Sequence, residues 1–420
     1  MATLRIEGGR RLSGRVTVEG NKNAALPILA ACLLTEQACV LRNMPRIRDV
    51  EVMARLLEGL GASVEGPGSD TVRLQCANVS TSEPDPGLVG RLRGSVLLLG
   101  PLLARRGEAR LALPGGDFPA RRTIATHLRA LQALGVTASR EGAAHLLRAP
   151  DGLRPASMYL DEASVTGTET ALLAAATAPG TSEIRHAACE PHVVELCAFL
   201  ERLGVGVEGA GSSTIRVHGG SRLGGADHTL SGDYIEAGSW AVVAAVTGGA
   251  IEVRGARAAD VEPVASVLRD MRVRCDFEDD RLAVESSSAA AVKRITTGVW
   301  PAFPSDMVSL MTVLATQATG RTLVHDWMYE LRLFALEQLS SMGADLFLCD
   351  PHRIIVTGAT RLRGRSLDSR DLRSGMALIA AALAADGESV LASLEMVERG
   401  YGSLVERLRA IGAQVAREEE

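Results

Sequence analysis

Apolar and polar positions along this chain repeat with a period far longer than a helix turn. An amphipathic helix that ends in a small-residue stop, followed by a strand, recurs six times. The stops are Leu60-Gly61-Ala62, Leu134-Gly135-Val136, Leu203-Gly204-Val205, Met271-Arg272-Val273, Met342-Gly343-Ala344 and Ile411-Gly412-Ala413, spaced roughly seventy residues apart. Five of them put Gly just past the helix, where a left-handed cap costs least; the fourth substitutes Arg272. In the first copy Val52, Met53, Leu56, Leu57 and Leu60 form one stripe, with Glu51, Arg55 and Glu58 opposite.

Each unit also holds an earlier helix that is apolar on nearly all sides and rich in Ala. These read Asn23–Leu34, Ser95–Ala104, Thr168–Ala176, Ala237–Val246, Asp306–Thr316 and Ser374–Ala384, a composition that suits burial on every face. Short β-branched runs fill the gaps, at Gly14–Glu19, Ala38–Arg42, Ser182–Arg185 and Arg353–Thr357. The pattern predicts an α/β protein built from six βαβαββ-like repeats, three to a domain, with sheets outside and helices within. The midpoint falls near Ser231, after the Gly-rich stretch Gly219–Gly225.

Composition narrows the partners. Aromatic residues are 3% of a chain that is 46% hydrophobic, so its core is built from Ala, Leu and Val. A net charge of −5 with mixed signs shows no basic face, and nucleic acid is not an expected partner. The seven cysteines are scattered and mostly lie in apolar runs, which fits reduced core thiols better than disulfides or a metal site. No apolar signal segment or membrane-length run is present, so a soluble cytoplasmic protein is expected. The stretch Gly204–Gly209 matches a dinucleotide fingerprint by letter, but it follows a helix and leads into a turn.

Polar residues at equivalent places in several repeats must converge in space. At the starts of the buried helices stand Asn21, Lys22 and Asn23; Arg93 and Ser95; Ser164, Thr166 and Thr168; Asp233 and Glu236; Asp306; Asp371 and Arg373. Helix N-termini attract anions. Lys22 is one of only two lysines, the other being Lys293, which suggests a point charge kept for a purpose. The loops before the amphipathic helices form a second set: Asp117 with Arg121 and Arg122, Glu190 with His192, Glu330 with Arg332, and Glu398 with Arg399. The stretch 113–127, hinged by Pro114, Gly115, Gly116 and Pro119, suits a lid that closes on an anionic substrate.

With these residues in view the chain resembles the enolpyruvyl transferases, over essentially its whole length. Within them it is most similar to the branch acting on UDP-N-acetylglucosamine. The resemblance rests on Asn21-Lys22-Asn23-Ala24-Ala25-Leu26-Pro27, Arg93-Gly94-Ser95, Leu113–Asp117, Ser164-Val165-Thr166-Gly167-Thr168, Phe303-Pro304-Ser305-Asp306, Asp371-Leu372-Arg373 and Arg399-Gly400-Tyr401. It implies a two-domain inside-out α/β barrel. One domain would span 22–229 and carry the mobile catalytic loop 113–127. The other would combine 1–21 with 230–420, with the active site in the cleft between them. The implied reaction passes the enolpyruvyl group of phosphoenolpyruvate to the 3-hydroxyl of the aminosugar nucleotide and releases phosphate, the first committed step of peptidoglycan synthesis. It needs no cofactor and no metal.

The resemblance also distributes roles. Lys22, Arg93, Arg122, Arg332 and Arg399 would hold phosphoenolpyruvate. Asn23, Arg93, Arg122, His127, Ser164, Val165, Thr166, Asp306 and Met328 would hold the acceptor nucleotide. Lys22, Asp117 and Asp306 would be catalytic, with Asp306 taking the hydroxyl proton and Asp371 and Arg373 supporting the site. Asp117 stands where most members carry a reactive cysteine, which implies insensitivity to fosfomycin. Two stretches depart from the family: Thr123-Ile124-Ala125-Thr126-His127 replaces the usual Pro-Val-Asp-Leu-His beside the uracil, and Glu162 replaces a frequent cation near the diphosphate. These departures keep two alternatives open: another nucleotide acceptor such as UMP, or a silent regulatory paralogue that binds UDP-sugars.

Overall fold

The protein's structure is a computed structural model describing residues 2–115, 123–285, 287–330 and 332–419. The chain divides into two compact units: Gly20–Ser231, and Met1–Glu19 together with Gly232–Glu420. Each has its own apolar core and three sheets. Among the described residues five sheets have four strands, and the sheet of Glu108–Leu111, Thr137–Glu141 and Ala144–Arg148 has three.

Six helices fill the cores: α1 (Lys22–Ala31), α2 (Leu99–Arg106), α3 (Val165–Ala175), α4 (Tyr234–Val246), α5 (Val308–Gln317) and α6 (Leu372–Ala384). Helix α4 is buried along nearly its whole length, as its Ala and Val content predicts. The strands alternate instead: in Ala250–Arg254, Ile251 and Val253 turn inward while Ala250 faces solvent. Sheets therefore lie outside and helices inside within each unit, the inside-out arrangement expected from the repeats.

Each four-stranded sheet is antiparallel except at one edge. There a short strand from another part of the chain pairs in parallel: Ser13–Thr17 with Ala250–Arg254, Arg294–Thr296 with Gly320–His325, and Asp227–Thr229 with Cys39–Arg42. The last pairing returns the third repeat of its unit to the first and closes the ring.

The repeat stops behave as capping chemistry requires. Gly61, Gly135, Gly204, Gly343 and Gly412 all have positive φ. Arg272 adopts the same left-handed conformation at φ 61°, so the one copy without Gly keeps the geometry. Several helix starts differ from the pattern. Helices α3, α4 and α6 begin two or three residues earlier than expected, because Ser164, Asp233 and Asp371 cap them with their side chains. Residues 93–98 and 305–307 form tight 3₁₀ turns ahead of α2 and α5. The cysteines are free, as expected, but Cys349 is exposed on a strand rather than in the core.

Candidate active site

In the unit of Gly20–Ser231 the polar residues gather at the starts of α1 and α3 and around the helix Ala125–Ala133. Asn21 caps α1 by accepting from the backbone N–H groups of Asn23 (2.8 Å) and Ala24 (3.2 Å). This leaves Lys22 as the first helical residue. Its Nζ lies 3.0 Å from the Asp49 carboxylate, and that carboxylate is 3% exposed. The lysine is thus a cation with a fixed position, because a buried Asp holds its ammonium.

The 3₁₀ turn carrying Arg93 packs on α1, since Gly94 leaves room for Leu26: a Cβ there would sit 3.0 Å from its side chain. Arg93 Nη2 donates to the Thr123 carbonyl at 2.6 Å, which ties the turn to the chain leading into Ala125–Ala133. His127, buried there, places Nε2 2.8 Å from Thr166 Oγ1 in the first turn of α3. Ser164 Oγ accepts from Gly167 N, and Val165 and Thr166 are half-buried. His127, Ser164, Val165 and Thr166 are therefore brought together. The expectations for Asp117, Arg121 and Arg122 fall outside the described residues.

The two departures from the family motif meet in one network. Thr126 Oγ1 lies 2.7 Å from Asp161 Oδ1 and 3.3 Å from Glu162 Oε1, so one hydroxyl bridges two carboxylates. Arg129 Nη1 donates to the other Asp161 oxygen at 2.7 Å. The Thr126 hydroxyl, aided by the Arg129 charge, holds Asp161 below the usual carboxylate range. Glu162 is engaged by the residue that replaces a family position.

In the other unit the focus is Asp306. Arg373, in the first turn of α6, donates to Asp306 Oδ2 through Nε at 3.1 Å and Nη2 at 2.8 Å. Arg332 Nη1 lies 3.4 Å from Asp306 Oδ1 and donates to Ser305 Oγ at 2.7 Å, with its guanidinium 4.0 Å above the Tyr329 ring. Two cations from two further elements thus fix one carboxylate. Arg373 is itself buried. Burial alone would lower its pKa, but the charge of Asp306 outweighs that and holds it well above the ordinary value. Tyr401 OH lies 3.4 Å from Arg373 Nη1 and 2.8 Å from Ser239 Oγ on α4, linking the start of α6 to the second turn of α4.

Asp371, expected to support the site, acts on the start of α6. Its carboxylate accepts from Arg373 N at 2.9 Å and Ser374 N at 3.0 Å and bonds Ser374 Oγ, so it caps α6 and orients Arg373. Arg399 is half-buried, and the neighbouring Glu398 bonds Arg417. Met328 is half-buried and gives its N–H to Asp326.

Sequence reasoning passed over Asp49 and Asp326, and it quoted Ser305 and Tyr401 within motifs without giving either a role. Asp326 is fully buried, with Thr297 Oγ1 and Ser305 Oγ donating to its two oxygens. In the sequence Asp326 follows the strand run Leu323-Val324-His325, a place where an acid ordinarily reads as a solvated turn.

Comparison with known proteins identifies the family. The family profile described as EPSP synthase (3-phosphoshikimate 1-carboxyvinyltransferase) matches residues 6–408. The chain is 41% identical over 420 residues to the UDP-N-acetylglucosamine 1-carboxyvinyltransferase of Bradyrhizobium diazoefficiens, covering 98% of this chain and 97% of that one. It is 40% identical over 427 residues to the protein of the same name from Treponema denticola, covering 99% of each. Among solved structures it is similar to the enolpyruvyl transferase NikO from Streptomyces tendae, with a TM-score of 0.89 at 26% identity over 99% of this chain and 98% of that one. An EPSP synthase from Acinetobacter baumannii shares the fold at a TM-score of 0.77 and 18% identity, over 100% of each chain.

Proposed function

Because the chain belongs to the EPSP synthase family of 1-carboxyvinyltransferases, we propose that it transfers the enolpyruvyl group of phosphoenolpyruvate to the 3-hydroxyl of UDP-N-acetylglucosamine. Phosphate is released, and the product enters peptidoglycan synthesis. The observation that carries this reading is the Asp306 carboxylate gripped by Arg373 beside Arg332. A carboxylate so fixed can take a proton from one defined direction.

The reaction is an addition followed by an elimination. As Asp306 removes its proton, the acceptor hydroxyl oxygen bonds to C2 of phosphoenolpyruvate, and the methylene carbon gains a proton to become a methyl group. The resulting tetrahedral ketal then loses a methyl proton and expels phosphate, restoring the double bond. Asp117 is the proposed acid for the methylene. Lys22, Arg93, Arg122, Arg332 and Arg399 hold the phosphate and carboxylate of phosphoenolpyruvate, where each cation matches charge that shifts during the reaction. Asn23, His127, Ser164, Val165, Thr166 and Met328 hold the nucleotide sugar. The reaction's substrates suit a cytoplasmic location. No helix among the described residues is long and apolar enough to cross a membrane.

Phosphate release from phosphoenolpyruvate should be measured with UDP-N-acetylglucosamine, with UMP and with no acceptor. Release with the nucleotide sugar alone is the expected result. Release with UMP alone would keep the chemistry and replace the acceptor. No release with either would overturn the reading.

A further inference from the structure

We propose that Asp326 is a positioning residue for the transfer reaction: it fixes the proton of Ser305 so that Ser305 can hold Arg332 beside Asp306. The inference rests on the reading of Asp306 as the group that receives the acceptor proton.

Asp326 follows the strand Gly320–His325 and is fully buried. A buried carboxylate is stable only when donors surround it, and here three do. Thr297 Oγ1 at 2.9 Å and the backbone N–H of Met328 at 3.2 Å donate to Oδ1, while Ser305 Oγ at 2.7 Å donates to Oδ2. Its backbone is anchored too: the N–H donates to the His352 carbonyl, and the carbonyl lies 2.7 Å from His352 Nδ1.

A serine hydroxyl has one proton and two lone pairs. An ionised Asp326 can only accept, so the Ser305 proton points to it, and what Ser305 offers on its other side is a lone pair. Arg332, which can only donate, occupies that side with Nη1 2.7 Å away. The direction of every bond is therefore set: Arg332 donates to Ser305, and Ser305 donates to Asp326. The same Nη1 lies 3.4 Å from Asp306 Oδ1, on the side of the carboxylate that Arg373 does not grip.

An amide at position 326 reverses this chain. Its one oxygen is claimed by the two donors on the Oδ1 side, one of which is a backbone N–H that cannot turn. Its NH₂ then faces Ser305, whose proton swings toward Arg332 and sets donor against donor. Ser305→Ala removes one acceptor from Arg332 but presents no opposing donor. The two substitutions therefore interact with a defined sign.

The test compares Asp326→Asn, Ser305→Ala and the double variant by steady-state phosphate release, with thermal unfolding of each. The expected result is a kcat loss of at least about tenfold for Asp326→Asn and about threefold for Ser305→Ala, with the double variant recovering to the Ser305→Ala level. A double variant as slow as Asp326→Asn would overturn the inference, as would Asp326→Asn within about twofold of the parent. If Asp326→Asn does not fold, Ser305→Ala decides: wild-type kcat in that folded variant would also overturn it.

Failure of the parent reading looks different, because the unmodified protein would then release no phosphate with UDP-N-acetylglucosamine. Crystal structures of the parent and Asp326→Asn then read the relay without turnover. Departure of Arg332 from Ser305 supports the inference, and its retention refutes it.

Discussion

Arg373 holds Asp306 by one oxygen and two nitrogens, Nε at 3.1 Å and Nη2 at 2.8 Å, from the first turn of a buried helix. A lysine cannot reproduce that fork, since its ammonium is a point donor on a flexible stem. Arg373→Lys is expected to lower kcat by about 10²-fold while the protein stays folded. Steady-state phosphate release beside a melting curve checks this. Unchanged kcat in a folded variant would remove Arg373 from the reaction.

Lys22 and Asp49 allow binding and stability to be separated. Lys22→Ala leaves an almost fully buried Asp49 without its ammonium, which should cost about 3–5 kcal/mol of stability, besides the loss of activity. Replacing both residues by Ala should restore much of that stability and none of the activity. Urea unfolding and phosphate release on the same three proteins give the two answers. Recovery of activity in the double variant would mean that Lys22 acts only by neutralising Asp49.

Glu169 on α3 makes stability depend on pH. Burial, and then the charge of Glu190, push its carboxyl well above the ordinary value of 4.5. The folded protein thus keeps a proton that the unfolded chain gives up near 4.5. Below that pH both states are protonated and Glu169 imposes no penalty. As pH rises from there through the folded-state value, the unfolded chain ionises first and stability falls. Glu169→Gln should therefore gain stability over the parent progressively as pH increases above about 4.5. Melting curves across that range check the trend, and a constant difference would contradict it.

Asp117 leads to a prediction about an inhibitor. Fosfomycin alkylates the cysteine that most family members carry at this position, and a carboxylate offers it no thiolate. Preincubation with the drug should leave activity unchanged over time, while Asp117→Cys should become subject to time-dependent loss. Progressive inactivation of the parent protein would show that another nucleophile is reached.

The repeat was legible because its signals are local. A helix stripe followed by Leu-Gly needs no knowledge of the rest of the chain, and even Arg272 holds the turn that its neighbours assign to Gly. Helix starts were harder, since a capping residue and a substrate-binding residue are the same kind of side chain. Asp371, expected as a supporting residue, caps the helix that carries Arg373, while Asp306, one repeat earlier, is held by two arginines. Asp326 was invisible for another reason. An acid after a strand ordinarily reads as a solvated turn, and only its donors, Ser305 and Thr297, twenty or more residues away in the chain, mark it as part of the core.

The strand Ala2–Glu7 lies between Glu388–Ala392 and Gln414–Glu419, pairing with both. On the ribosome it emerges long before either neighbour. Residues 20–231, by contrast, are continuous and can complete their three sheets while synthesis continues. The opening strand must meanwhile wait with its backbone groups unpaired, as an edge open to other chains. Its short length, with Arg5 and Glu7 among its six residues, suits that wait.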